Sequence, residues 1–157
     1  MPDARPSVWL AVTLTLVSAA SMALEIVAGR ALAPYVGMSL YSWTMIIAVV
    51  LAGLSLGHWI GGGLADRSRR PGTWVAAGLT GAAATSGISL MALRWVEPLV
   101  TGSNPIGHVG VLAFGAFFLP SVLAGVLSPL LTKMALDASA PGHHGRVVGR
   151  MFALGAF

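Results

Sequence analysis

Leu24-Glu25-Ile26-Val27-Ala28-Gly29-Arg30-Ala31-Leu32-Ala33-Pro34-Tyr35-Val36-Gly37-Met38-Ser39-Leu40-Tyr41-Ser42-Trp43 decides how this chain is divided. One long apolar run leads into it and another follows it; between them stand a carboxylate, a guanidinium, a proline and three aromatic rings. The stretch reads as a hinge joining two membrane spans. A charge so close to hydrocarbon costs about 2.5–3.5 kcal/mol at a helix centre on insertion scales. Glu25 and Arg30 are therefore expected to be paired, buried in protein or held near the interface.

Composition points the same way. Of 157 residues, 56% are hydrophobic and 9% charged, whereas charged residues make up about a quarter of a soluble domain. The chain reads as a membrane protein forming one transmembrane domain over residues 1–157. It has no cysteine, which excludes disulfides, thiolate metal sites and thiol nucleophiles. A formal charge of +4 would suit nucleic acid, but the placement of the basic residues has another cause.

Charges cut the sequence into uncharged tracts: 19 residues between Arg5 and Glu25, 35 between Arg30 and Asp66, 23 between Arg70 and Arg94, and 35 between Glu97 and Lys133. Each holds one helix of about 20 residues, the length that crosses roughly 30 Å of hydrocarbon. Backbone groups in lipid must be satisfied within the segment, so these tracts are helices. The expected spans are about 7–28, 41–64, 74–93 and 108–132, with a partial fifth from about 146. The fold class is an all-α polytopic transmembrane bundle of four full spans and the start of a fifth. With the amino terminus cytoplasmic, Arg5, Arg67, Arg69, Arg70, Lys133, Arg146 and Arg150 lie inside and Arg30 and Arg94 outside, as the positive-inside rule asks. The location is then an inner, cytoplasmic membrane. Two alternatives stay open. Arg5 and Ser18-Ala19-Ala20 also suit a secretory signal peptide, and the last apolar run, too short to span, suits a piece of a longer chain.

Gly53, Gly57 and Gly61 recur every four residues on one face of the second span, a seam where another helix approaches closely. Gly78, Ala82 and Ser86 make a weaker set on the third. Pro120 and Pro129 each remove a helical hydrogen bond from the fourth, which predicts a kink. Tyr35, Tyr41 and Trp43 are interface anchors or a cage for a cationic amine. Glu25 shares a face with Ser18 and Ser21 near the outer edge of the core, either as a carboxylate that binds a cation or as a structural partner of Arg30 or Arg94. His58 lies beside the glycine face, as a proton relay or a hydrogen-bonded core histidine. His143-His144 lacks the partners of a metal site. No catalytic triad, phosphate loop or nucleotide motif is present, so no catalytic residue, metal or cofactor is assigned.

Gly62-Gly63-Leu64-Ala65-Asp66-Arg67-Ser68-Arg69-Arg70 resembles the loop motif of the major facilitator superfamily, Gly-x-Leu-Ala-Asp-Arg-x-Gly-Arg-Arg, in which the acid and arginines latch an inner gate. Arg69 stands where that motif has glycine and Pro71 where it has a basic residue. By this resemblance Asp66, Arg67 and Arg70 are gating residues, and the bundle is similar to part of a facilitator-type half. Glu25, Arg30, Ala33-Pro34-Tyr35, Gly37, Ser39, Tyr41, Trp43, Ser128-Pro129 and Gly145-Arg146-x-x-Gly149-Arg150 together resemble the membrane portion of the spermidine synthase-like integral membrane proteins. There a facilitator-like region is joined to an aminopropyltransferase-like domain. That soluble domain is not in this sequence, so no synthase chemistry attaches to any residue. The resemblance implies a non-enzymatic module that binds or passes a small cationic, polyamine-like solute through Glu25, Arg30, Tyr35, Tyr41 and Trp43. The alternatives are an anchor for a transferase-domain partner and a fragment without independent activity. The lipid bilayer is the expected partner, with a homo-oligomer possible and nucleic acid excluded.

Overall fold

The computed structural model describes residues 8–100, 105–139 and 142–155. They form α1 (Val8–Val36), α2 (Leu40–Arg67), α3 (Pro71–Val100), α4 (Pro105–Ala113), a π turn (Phe114–Phe118), α5 (Leu119–Asp137) and α6 (His144–Gly155). The fold is all-α. Four helical stretches are long and apolar enough to cross a membrane: Val8–Val36, Leu40–Arg67, Pro71–Pro98 and Gly107–Asp137, the last formed by α4, the π turn and α5 together. Arg5, the expected span start at Ser7 and the chain end at Phe157 lie outside the described residues.

The expected hinge is mostly helix. α1 does not end at residue 28 but runs unbroken through Ser18-Ala19-Ala20, Glu25, Arg30 and Tyr35 to Val36. A lone glycine at 29 does not stop a helix whose backbone has no water to turn to. Pro34 falls in the last turn, where only one backbone bond is lost. Gly37 ends the helix: it adopts φ 72°, a left-handed conformation glycine enters without a side-chain clash, and its N–H donates to Ala33 O at 2.9 Å. Ser39 then caps α2, its Oγ accepting from Ser42 N at 3.1 Å. The link is only residues 37–39. At the other end α2 continues to Arg67, and Ser68–Arg70 suffices to reach α3, with Ser68 Oγ accepting from Arg70 N and Pro71 opening the helix, where its missing N–H is not needed.

The disturbance expected at Pro120 takes the form of the π turn just before it. Proline offers no amide to the carbonyl four residues back, that of Ala116. Ser89 of α3 supplies the donor: its Oγ lies 2.7 Å from Ala116 O, with Thr85 O at 2.9 Å as a second acceptor.

α5 occupies the centre and packs chiefly on α2 and α3. Gly53, Gly57 and Gly61 are buried and lie against the α5 backbone. A Cβ built at Gly53 would meet Ser121 Cβ at 2.7 Å, one at Gly61 would meet Val126 O at 2.5 Å, and one at Gly57 would collide with Val122 O and Gly125 Cα. On α3, Gly78 admits Leu127 in the same way. The final run from 146 is helical: α6 buries Val147 and Met151 and packs on α1 and α5. Two apolar clusters result. One, at the end bearing Arg67, Arg69 and Arg70, joins Leu10, Leu14 and Val17 to Leu127, Leu130, Leu131 and Met151. The other, toward Gly37, joins Ala28 and Leu32 to Ile46, Val50, Leu112 and Phe117.

Candidate functional site

α1 runs eight residues past the expected end at residue 28. The helix has 29 residues, about 43 Å in length, and Glu25 stands three residues beyond its midpoint, about 4.5 Å along the axis. Along the described helix the acid stands near the middle, about 26 Å from its amino-terminal end. It lies between the buried α1 residues of the two apolar clusters, Val17 and Ala28, beside Leu24, which packs against the second. Ser18, Ser21 and Glu25 lie on one face, one turn apart and all half-buried. Ser21 returns its hydroxyl to Val17 O at 2.9 Å. The Glu25 carboxyl makes no ion pair or side-chain hydrogen bond among the described residues.

Arg30 does not reach Glu25. Five residues along an unbroken helix put the two on different faces, and Arg30 is exposed at about 12 Å from the helix midpoint, where a long side chain can extend its charge toward the interface. The aromatic residues do not converge either. Tyr41 is 74% exposed and Tyr35 lies at the surface, while Trp43 packs over Gly29, whose added Cβ would lie 2.7 Å from Trp43 Cη2. Trp43 thus fastens α2 to α1, and no cage of three rings forms.

A cavity of ≈ 450 Å³ lies between α1, α3 and α5, and Glu25 is not among its lining residues. Ser21, Leu24 and Val27 of α1 are in its wall, with Ala82, Ala83, Ser86 and Ser89 of α3, Phe117 of the π turn and Pro120 of α5. The weaker α3 set divides here. Gly78 packs, but Ala82 and Ser86 face space because Ala20, Ser21 and Ala23 opposite are too short to fill it.

A second cavity, ≈ 650 Å³, opens at the arginine-bearing end between α2, α5 and α6. It brings together His58, Asp66, Ser128, Pro129, Thr132 and Lys133 with Met151 and Phe152. Asp66 is exposed and makes no ion pair or side-chain hydrogen bond among the described residues. Arg67, in the last turn of α2, and Arg69 and Arg70, in the link, are exposed. His58, beside the glycine seam, lines this cavity; it is exposed and makes no hydrogen bond through its side chain among the described residues, so it is not a hydrogen-bonded core histidine. Sequence reasoning missed Lys133 and Asp137 as a pair, although four-residue spacing of opposite charges was the signal. It also assigned nothing to His108, whose Nε2 is buried with no hydrogen-bond partner. Among the described residues no group of three or more His, Cys, Asp or Glu could hold a metal.

Comparison with protein-family models, with curated proteins and with solved structures returns no match to this chain. The functional reading therefore rests on the residues themselves, with Glu25 first among them.

Proposed function

We propose that this chain is a membrane-embedded, non-enzymatic binding module for a small solute bearing an ammonium group, with Glu25 as the counter-charge. One observation carries the reading: a carboxyl group half-buried near the middle of a helix long and apolar enough to span a membrane, without an ion-pair or hydrogen-bond partner for its side chain among the described residues. An ionisable group at that depth is costly and marks a functional site unless a partner offsets it. A cationic ligand is such a partner. The resemblance to the spermidine synthase-like membrane proteins puts polyamines in the panel of solutes to try. In the same reading Asp66, Arg67 and Arg70 gate the far end, Tyr35 and Tyr41 anchor at the opposite interface, and the arginine-rich end faces the cytoplasm of an inner membrane by the positive-inside rule.

The test is binding of radiolabelled spermidine and of n-alkylammonium ions to the chain in phosphatidylcholine nanodiscs. Glu25→Gln is expected to lower affinity for the bound amine about tenfold or more, the loss of one charge-assisted hydrogen bond, while Asp137→Asn leaves it unchanged. Wild-type affinity in Glu25→Gln for every amine would remove Glu25 from the site and end this reading.

A further inference from the structure

The cavity between α2, α5 and α6 has charges in its wall, and the one between α1, α3 and α5 has none. The glycine seam fixes the register of its two longer walls. Gly53 stands against Ser121, Gly57 against Val122 and Gly125, and Gly61 against Val126, so α2 and α5 run parallel. Five residues beyond Gly61, Asp66 comes level with residues 131–134 of α5, which include Thr132 and Lys133. All three side chains line the cavity. One turn before Asp66, Gly62 lines it too, and a Cβ built there meets nothing within 4 Å. The seam face of α2 is closed by α5, while the face bearing Gly62 and Asp66 opens on free space.

Two opposite charges therefore share one cavity without pairing. Lys133 Nζ donates to Asp137, one turn along its own helix and outside the lining. The Asp66 carboxylate has no ion-pair or side-chain hydrogen-bond partner among the described residues. An ammonium carries three N–H donors, so Lys133 keeps two after the bond to Asp137. Ser128 and Thr132, in the α5 wall, make no side-chain hydrogen bond among the described residues, whereas Ser121, against the seam, returns its hydroxyl to Phe117 O. A simple amine satisfies Asp66 and leaves the Lys133 donors unused; a simple carboxylate does the reverse and lies beside the Asp66 anion. A ligand carrying both charges finds a charge-assisted partner for each. Leu136, Met151 and Phe152, in the same wall, suit a hydrocarbon side chain.

We infer that this cavity binds a small zwitterionic amino acid with an apolar side chain, its ammonium on Asp66, its carboxylate on Lys133 and its side chain toward Met151 and Phe152. The site is separate from Glu25 and stands whether or not that residue is a counter-charge. Recognition rests on both charges of the ligand, so the amine and the acid that each lack one of them bind more weakly.

Equilibrium binding of radiolabelled leucine to the whole chain in dodecyl maltoside micelles, whose headgroups carry no charge, tests this. Saturable binding in the millimolar range or below is expected. Isoamylamine, which lacks the carboxylate, and isocaproate, which lacks the ammonium, should each compete at least about tenfold more weakly than leucine. Asp66→Asn and Lys133→Gln are each expected to weaken leucine about tenfold or more. Gly62→Phe places a ring in the cavity and is expected to abolish binding with helix content by circular dichroism unchanged, and Thr80→Ala, at an exposed position on α3, to bind as the wild type does. Absence of saturable leucine binding overturns the inference. So does either analogue competing as well as leucine, or wild-type affinity in Asp66→Asn or in folded Gly62→Phe. Phosphatidylethanolamine displacing the label more strongly than unlabelled leucine makes a lipid headgroup the occupant and overturns it as well.

Discussion

Gly57→Ala and Gly62→Ala, five residues apart on α2, are expected to change stability in opposite directions. A methyl at Gly57 would meet backbone, Val122 O together with Gly125 Cα at 2.8 Å and Gly125 C at 3.0 Å. No rotamer change relieves a clash with backbone, so α2 and α5 must separate along the seam where they pack most closely. Overpacking of this kind costs about 1–3 kcal/mol, and the better helix propensity of alanine returns about 0.5–1 kcal/mol, leaving a net loss of about 1–2 kcal/mol. At Gly62 an added Cβ has nothing within 4 Å, so only the propensity gain of about 0.5–1 kcal/mol remains. Equilibrium unfolding in mixed micelles by titration with sodium dodecyl sulfate, followed by circular dichroism, measures both. Gly57→Ala at or above wild-type stability would refute the account of the α2/α5 seam. So would Gly62→Ala losing as much as Gly57→Ala.

Two further outcomes can be read in the same assay. Ser89→Ala leaves the Ala116 carbonyl, already without an amide from Pro120, with no donor from α3; a loss of about 1–3 kcal/mol is expected, and a loss no larger than that of Thr80→Ala, an exposed hydroxyl on the same helix, would remove the Ser89 bond from the account. Gly37→Ala forces a Cβ into the left-handed conformation at φ 72° and is expected to cost about 1–2 kcal/mol, with wild-type stability the contrary result.

Much of the fold was legible because charge is so sparse. With Glu25, Arg30, Asp66, Arg70, Arg94, Glu97 and Lys133 as boundaries, the uncharged tracts give four spans without any detailed propensity argument. Where those charges sit inside a helix the same rule misleads. Glu25 and Arg30 looked like a hinge because charged residues normally mark the end of a span, yet no breaker lies between them, and the true stop, Gly37, is seven residues beyond Arg30. The glycine period of α2 was readable because close approach needs small residues at a fixed interval. Its partner surface on α5, Ser121, Val122, Gly125 and Val126, repeats the four-residue interval only once and with a single small pair, Ser121 and Gly125, so it emerged only in three dimensions.

The site was legible in its residues and not in its arrangement. Glu25, Ser18 and Ser21 were recognisable as one helical face, but their depth depended on where α1 ends. The cavity between α1, α3 and α5 is made by short side chains on two helices far apart in sequence, Ala20 to Ala23 and Ala82 to Ser86, and the sequence alone does not say whether such faces close on each other or stand apart. Trp43 looked like a candidate cage wall, and its true neighbour, Gly29, is a glycine whose missing side chain leaves no signal in a search for binding groups.

The central claim is that Glu25 lies at mid-membrane rather than in an interfacial hinge, and its depth can be measured directly. The chain has no cysteine, so single spin labels at Met22→Cys, Ile26→Cys and Met38→Cys, all exposed positions, give unambiguous depths from oxygen and nickel-chelate collision rates in vesicles. Helix geometry places residue 26 about 6 Å from the α1 midpoint and residue 38 about 20 Å or more from it, so labels at 22 and 26 should read near the bilayer centre and the label at 38 at the headgroups. A label at 26 reporting headgroup depth alongside 38 would contradict the account.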